Sequence, residues 1–364
     1  MNHVSIIGSA VIDAQATSAG ERRALRFRVL DLYRFIAAAG IVIYHFSAVY
    51  NPDAVLHAIT AQFYLFVDFF FILSGFVIAH TYAHRVNSRT NIATFLRRRV
   101  ARIYPLYALT LAIYTGSLVL RLSSHPENYN TPWILSQFAM ASSWSLNATL
   151  PLNYPSWSIS VEWTMYLLFP GIAFLHGRWG LWPLVVISVF AAIIVNFLLA
   201  ENWMEASAFA NIYNPLRAVP TFTVGIIIAV SPCKLRYGVW MGFASFVSAI
   251  IAMMGESHIY IIIVLFSLTV LLTAAGEAFE RSIVFDNSVV AFLGDLSYSV
   301  YMLHPLVFSI LFEHAWKHLG GDPRHTPLSY IAPAIILTLI IATAAFYWFE
   351  APMRRILSGP RWTE

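Results

Sequence analysis

The chain has 364 residues, of which 59% are apolar and only 11% charged, against about 25% charged in an ordinary soluble domain. At a mean hydropathy of +0.68 there is too little charge to cover a water-exposed surface, which excludes an ordinary soluble enzyme, a disordered chain and a fibrous one. The composition points to a multi-pass protein whose surface faces lipid. The pI near 9.1 is no argument for nucleic-acid binding, because a basic excess is what cytoplasmic loops bring to a membrane protein. The single cysteine, Cys233, excludes an intrachain disulfide framework, a CxxC redox pair and a multi-cysteine metal site.

Residues 1–24 are polar and small, with no apolar run long enough for a signal peptide, and read as a mobile cytoplasmic tail. Ten apolar segments follow, predicted as membrane helices at 29–49, 62–82, 103–122, 157–175, 179–199, 218–230, 237–254, 259–276, 289–312 and 329–349. Most are near the roughly 20 residues needed to cross a bilayer. The sixth is short, and is expected to begin nearer Ile212 and to be kinked by Pro215 and Pro220. The expected architecture is an all-α integral membrane domain over 25–356, with a second short tail at 357–364. With the N-terminus inside, 17 of the 22 basic residues fall on inner segments, 3 on outer segments and 2 within spans. So strong a positive-inside bias supports ten spans with both termini cytoplasmic. The longest outer segment, 121–156, carries Asn, Pro and Trp and is expected to fold partly into the membrane surface.

An ionisable side chain within a span costs about 2.5–3.5 kcal/mol on insertion scales, which makes each one a candidate functional group. The first span carries Asp31, Arg34 and His45. At 100° per residue, Arg34 and His45 share a face within about 20° and are separated by roughly 16 Å of rise, with Asp31 about 40° away. The second span, running inward, has Asp68 in its outer third. The fourth opens with Ser156, Ser158, Ser160 and Glu162, and the sixth starts with Arg217. Orientation alone puts His45, Asp68, Glu162 and Arg217 at comparable depth. Such a group can neutralise itself around a wet cavity, or act as an acid–base site in which a carboxylate orients the histidine. The ninth span adds Ser297, Tyr301 and His304, with Ser297 and His304 within about 20° of one face. Taken singly, Arg34 also reads as a side chain snorkelling inward, and His304 as a hydrogen-bonded core histidine.

On the inner side, FLRRRVARIYPLY (95–107) packs Arg98, Arg99 and Arg102 ahead of the third span. The run serves orientation and attracts anionic lipid, but it is denser than orientation requires, and arginine forks suit phosphate. There is no Walker-type loop, GxGxxG turn, HExxH or GxSxG, so ATP hydrolysis, nicotinamide chemistry, zinc proteolysis and serine hydrolysis have no support. No histidine–carboxylate cluster at helical spacing points to a metal. There is neither an internal repeat nor a matched pair of broken helices, the usual pointer to a secondary transporter.

Six segments occur in order: LDLYRFIAAAGIVIYH (30–45), FVDFFFILSGFVI (66–78), FLRRRVARIYPLY (95–107), SWSISVEWTMYLLFP (156–170), LGDLSYSVYMLHPL (293–306) and WFEAPMRR (348–355). Together they resemble the membrane-bound acyltransferase family 3, whose bacterial members O-acylate sugars and some antibiotics. The likeness runs from Leu30 to Arg355. It implies an inner-membrane O-acyltransferase that moves an acyl group, most commonly acetyl, from acyl-coenzyme A to a carbohydrate or glycolipid hydroxyl, with no permanently bound cofactor. The family's arginine and histidine, eleven apart in the first helix, fall on Arg34 and His45, the histidine being the catalytic residue. Its cytoplasmic arginine pair, which engages the donor, falls on Arg99 and Arg102, with Arg98 and Asp31 beside the same path. Its serine–glutamate pattern falls on Ser158, Ser160 and Glu162. Trp163 stands where a second acid is often found, and Tyr33 where the opening motif usually has glycine. No SGNH-type hydrolase-like sequence follows Phe349, so a standalone member is expected.

The residues fit this chemistry. The inner arginines would hold the coenzyme's phosphates while its long arm threads beside the first helix toward His45. His45 then either removes the acceptor's proton or carries the acyl group itself. Glu162 or Asp68 would orient the imidazole. Ser158, Ser160, Arg217, Tyr301 and His304 are candidates to contact the acceptor or the oxyanion. The competing reading is a transporter or flippase that uses the same polar cluster as a substrate or proton path.

Overall fold

The computed structural model describes residues 27–359 apart from 52, 87, 121–129, 146–149, 202–212 and 280–286. The expected tail at 1–24 and most of that at 357–364 lie outside them. Helix α1 (Arg28–His45) widens into a π-helical turn (Phe46–Tyr50), and is followed by α2 (Ala54–Thr60), α3 (Phe66–Tyr82) and α4 (Arg89–Val119). Then come α5 (Thr131–Phe138), α6 (Trp157–Trp179), α7 (Trp182–Ala200), α8 (Tyr213–Val230), α9 (Gly238–Met254) and α10 (Ile259–Phe279). Helix α11 (Ser288–Phe308) runs into a second π-helical stretch (Ser309–Trp316), and α12 (Ile331–Ala345) passes through a third (Phe346–Glu350) into α13 (Ala351–Ser358).

The fold is all-helical, with no strand among the described residues. Among the described residues, eight stretches are long and apolar enough to cross a membrane. Helix α9, apolar but 17 residues long, and α4, 31 residues long with its arginines in the first half, occupy the places of the other two expected spans. The described part of α8 carries both Pro215 and Pro220, in line with the early start expected for the sixth span. The described parts of 121–156 do more than lie on a surface. Asn153 is fully buried and donates to the Met302 carbonyl at 3.1 Å and to Thr110 at 3.3 Å, pinning this segment between α4 and α11.

The basic run departs from expectation. The sequence predicts a loop ahead of a helix at 103, but the helix starts at Arg89, where Ser88 Oγ accepts the Asn91 N–H at 3.2 Å. Arginine is a good helix former, and the helix continues through Pro105, forgoing the bond that an N–H there would make. Arg99 and Arg102 therefore stand on a rigid helix, three residues apart and on one side.

Two close helix crossings set the registers that matter. Helices α3 and α8 meet at Gly75 and Gly225: a Cβ on Gly75 would come within 2.0 Å of the Phe222 carbonyl oxygen, and one on Gly225 within 2.1 Å of that of Ile72. Small residues let backbones approach this closely in membranes. Both obstacles are backbone and cannot swing aside. Gly75→Ala is therefore expected to cost about 3 kcal/mol, the upper end of ordinary overpacking, read as a lowered unfolding temperature in lipid nanodiscs. Helices α1 and α11 meet at Gly294, where a Cβ would come within 2.5 Å of Asp31 Cβ. They run in the same direction, since Arg34 pairs with Ser297 and His45 with His304. That is the relation a first and a ninth span must have. Glu277 of α10 accepts the Val29 N–H at 3.1 Å, placing an acid at the positive end of α1.

Candidate active site

The polar stripe of α1 meets the polar stripe of α11 at both ends. At one end, Arg34 Nε donates to Ser297 Oγ at 3.2 Å, and its Nη2 donates to the Gly294 carbonyl at 2.9 Å and to Asp31 Oδ1 at 2.7 Å. At the other end, His45 Nδ1 lies 2.9 Å from His304 Nε2, and the two rings stack 5.1 Å apart at 15°. Tyr154 lies edge-on to both rings, 4.6 Å from His45 and 5.8 Å from His304. Each histidine is followed by a helix that widens, at Phe46–Tyr50 and at Ser309–Trp316. Such π-helical turns are frequent at functional sites.

Beside this seam lies an open cavity lined by residues of α1, α3, α4, α6 and α11. Arg34, Arg99 and Arg102 give it a basic portion. Glu162, Ser74 and Tyr166 form a polar wall, and Ser158 and Tyr301 also face it. Arg99 Nη2 donates to Tyr82 Oη at 3.2 Å, with its guanidinium 5.2 Å from the Tyr82 ring centre and 6.0 Å from that of Tyr166. Arg102 lies 5.5 Å from the Tyr298 ring centre and is ion-paired to Glu350, a residue 1% exposed whose other oxygen accepts from Ser299 at 2.5 Å. Cations stacked on aromatic faces in this way are attracted by the ring quadrupole and held in place.

The structure divides the residues expected in one site. Arg34, Arg99, Arg102, Ser158, Glu162 and Tyr301 line the cavity. His304 lies one turn further along α11 from Tyr301, their ring centres 6.2 Å apart, with His45 of α1 against it, and neither histidine is in the lining. Asp31 holds Arg34 and takes no place in the lining, and Arg98 is half-buried outside it. Ser160 faces away, bonding Ser143 and the Met140 carbonyl. Ser158 and Tyr301 share a 2.8 Å hydrogen bond, and each reaches the Pro155 carbonyl.

Neither carboxylate expected to orient His45 does so. Glu162 Oε1 instead accepts from Ser74 at 2.8 Å and from Tyr166. Asp68 forms a two-pronged pair with Arg217, at 2.5 Å through Nη2 and 3.3 Å through Nε. That pair lines a different cavity, between α7, α8 and α10. Asp68 and Arg217 are thus a buried ion pair, and Arg217 is not among the residues that line the first cavity. Equal depth in the membrane does not fix the direction in which a helix face looks, so the sequence argument joined groups that the fold sets apart. It missed Ser74, Tyr166 and Tyr298 as cavity lining, and Glu350 as the partner of Arg102. Glu350 carried a signal, an acid at the inner end of an apolar span. Among the described residues, no group of three or more histidines, cysteines or acids is placed to hold a metal ion.

Comparison with known proteins agrees with this architecture. The chain is 27% identical to the acyltransferase MdmB of Streptomyces mycarofaciens over 93% of its own length and 94% of that protein's. It is 24% identical to a Staphylococcus aureus (strain COL) protein named for O-acetyltransferase activity, over 90% of this chain and 57% of that one. A shorter likeness, 41% over 26% of the chain, is to protein 2 of the picA locus of Rhizobium radiobacter, 47% of which is covered. No solved structure matches. The acyltransferase-domain profile of acyltransferase family 3 spans residues 27–347, nearly the whole helical bundle, and the chain belongs to that family of membrane acyltransferases.

Proposed function

We propose that this membrane acyltransferase takes its acyl group from acyl-coenzyme A, entered from the cytoplasmic side of the inner membrane, and delivers it to a hydroxyl of a carbohydrate or glycolipid reached from the outer half. The observation that carries the reading is the cavity's polarity: arginines line one portion, and Ser158 and Tyr301 stand one turn from the His45–His304 pair. A polyphosphate with a long thin arm suits that shape. Arg99 and Arg102 bind the phosphates, with Arg34 further in. The arm carries the thioester toward Ser158 and Tyr301, whose hydroxyls, bonded at rest to each other and to the Pro155 carbonyl, turn to donate to its carbonyl oxygen. Both termini are cytoplasmic in this reading, as the distribution of basic residues requires.

His45 removes the proton of the acceptor hydroxyl as the oxygen attacks the thioester carbonyl. The new C–O bond forms, the C–S bond breaks, and the thiolate takes back the proton from the imidazolium. The direct test is mass spectrometry of surface glycans from cells with and without the protein. An added acyl mass that depends on the protein supports the reading; identical glycans with the protein present and intact would overturn the assigned acceptor class.

The donor end has its own test. Arg102 cannot be removed cleanly, since Glu350 would be left charged and buried, so Arg102→Ala is paired with Glu350→Gln. Arg99→Ala stands alone. A hydrogen bond to a charged group is worth about 1.5–3 kcal/mol, so each change should weaken acetyl-coenzyme A binding by about tenfold or more in calorimetry on nanodiscs. The loss should shrink as salt rises. Unaltered affinity would return the run to a purely topological role.

A further inference from the structure

His45 has a partner that the usual catalytic triad lacks. Its only side-chain hydrogen bond among the described residues is to another imidazole, that of His304, which is wholly buried. The protons of this pair can be placed by following the bonds outward. His304 Nδ1 lies 3.3 Å from the Val300 carbonyl oxygen. Carbonyls only accept, so His304 Nδ1 carries the proton. A neutral imidazole has one N–H and one lone pair, so His304 Nε2 is an acceptor, and the proton in the 2.9 Å contact belongs to His45 Nδ1. His45 Nε2 is then left with its lone pair.

We propose that His304 is the positioning residue that fixes His45 in the Nδ1–H form, with a neutral imidazole in the place a carboxylate holds in a triad. The inference rests on the reading of His45 as the base. The fold gives it a physical reason. An isolated carboxylate is costly in a membrane interior unless a cation answers it. The two acids at this depth are already engaged, Asp68 by Arg217 and Glu162 by Ser74 and Tyr166. A second histidine orients the first without adding a charge. The neutral acceptor also gives the proton somewhere to go. When His45 Nε2 takes the acceptor's proton, its Nδ1 proton can pass to His304 Nε2. The cation then sits on His304, where the Val300 carbonyl accepts from Nδ1, away from the acyl carbon. The same path run backward returns the proton to the departing thiolate. Stacking of the two rings and the edge-on Tyr154 hold them in register.

The test combines a spectroscopic reading with a pair of substitutions, all in the full chain in nanodiscs. ¹⁵N-histidine solid-state NMR, with His45 assigned by difference against His45→Ala, should show Nδ1 protonated and Nε2 bare. A protonated Nε2 in the resting protein would overturn the assignment outright. The substitutions are His304→Leu, which fills the space but accepts nothing, and His304→Gln, which offers a carbonyl oxygen to the His45 Nδ1–H. Transfer of labelled acetyl from acetyl-coenzyme A to a surface-glycan fraction should fall by about 10²-fold or more in the leucine variant, the scale of a lost acid–base contribution. The glutamine variant should stay within about tenfold of the native chain, and acetyl-coenzyme A affinity should hold in both. Native turnover in the leucine variant, or equal loss in both variants with the His45 form unaltered, would make His304 a packing residue. Normal transfer by His45→Ala would instead sink the base reading, while the NMR arm still decides the dyad.

Discussion

His45→Ala should lower acyl transfer by about 10²–10⁴-fold, the usual contribution of a positioned acid–base group, while the protein still inserts and folds. The two halves of this expectation have separate causes. An acceptor hydroxyl is a weak nucleophile, and of the two acids expected beside His45, Asp68 is held by Arg217 and Glu162 accepts from Ser74 and Tyr166. The structural loss is small by comparison. It is one contact to His304 Nε2, and leaving such a group unsatisfied costs about 1–3 kcal/mol. The measurement is label transfer from acetyl-coenzyme A, alongside a thermal unfolding curve on the same sample. Full activity would end the role of His45. A pulse of labelled donor without acceptor separates base from carrier: label retained on the native chain and lost in the variant would mean that the histidine itself takes the acyl group.

Much of this site was legible because charge is so scarce in the chain. The Arg34–His45 stripe on α1 and the Ser297–His304 stripe on α11 follow from helical periodicity alone, and the fold pairs them end to end. Orientation predicted the parallel relation of these two helices as well. Azimuth between helices was not legible. Asp68 and Glu162 share the expected depth with His45, but α3 turns Asp68 toward α8 and α6 turns Glu162 toward Ser74. The rotation is set by backbone contacts such as Gly75 against Phe222, and no one-dimensional pattern specifies which carbonyl a glycine will meet. The arginine run misled in a smaller way. Its charge suggested a loop, whereas arginine's helix propensity and the Ser88 cap carry α4 through it.

The Asp68–Arg217 pair gives the second large effect, on stability. Both side chains are almost wholly buried, 1% and 6% exposed, with the guanidinium 5.6 Å from the Tyr64 ring centre. Removing one member strands the other, at a typical cost of about 3–5 kcal/mol. Asp68→Ala and Arg217→Met should each lower the unfolding temperature sharply or abolish recovery of folded protein. Replacing both with apolar groups of similar volume, as Asp68→Leu with Arg217→Met, removes the charge and its partner together, which in other buried pairs is neutral or stabilising. The double variant should regain native-like stability and retain acyl transfer within a few-fold. Activity is the discriminating readout, because the pair was expected on depth alone to orient His45 or bind an oxyanion. A double variant that folds well but no longer transfers the acyl group would restore Asp68 and Arg217 to the chemistry. One that folds and transfers would leave them the task their geometry fits, locking α3 to α8 just beyond the glycine crossing that sets the register of both.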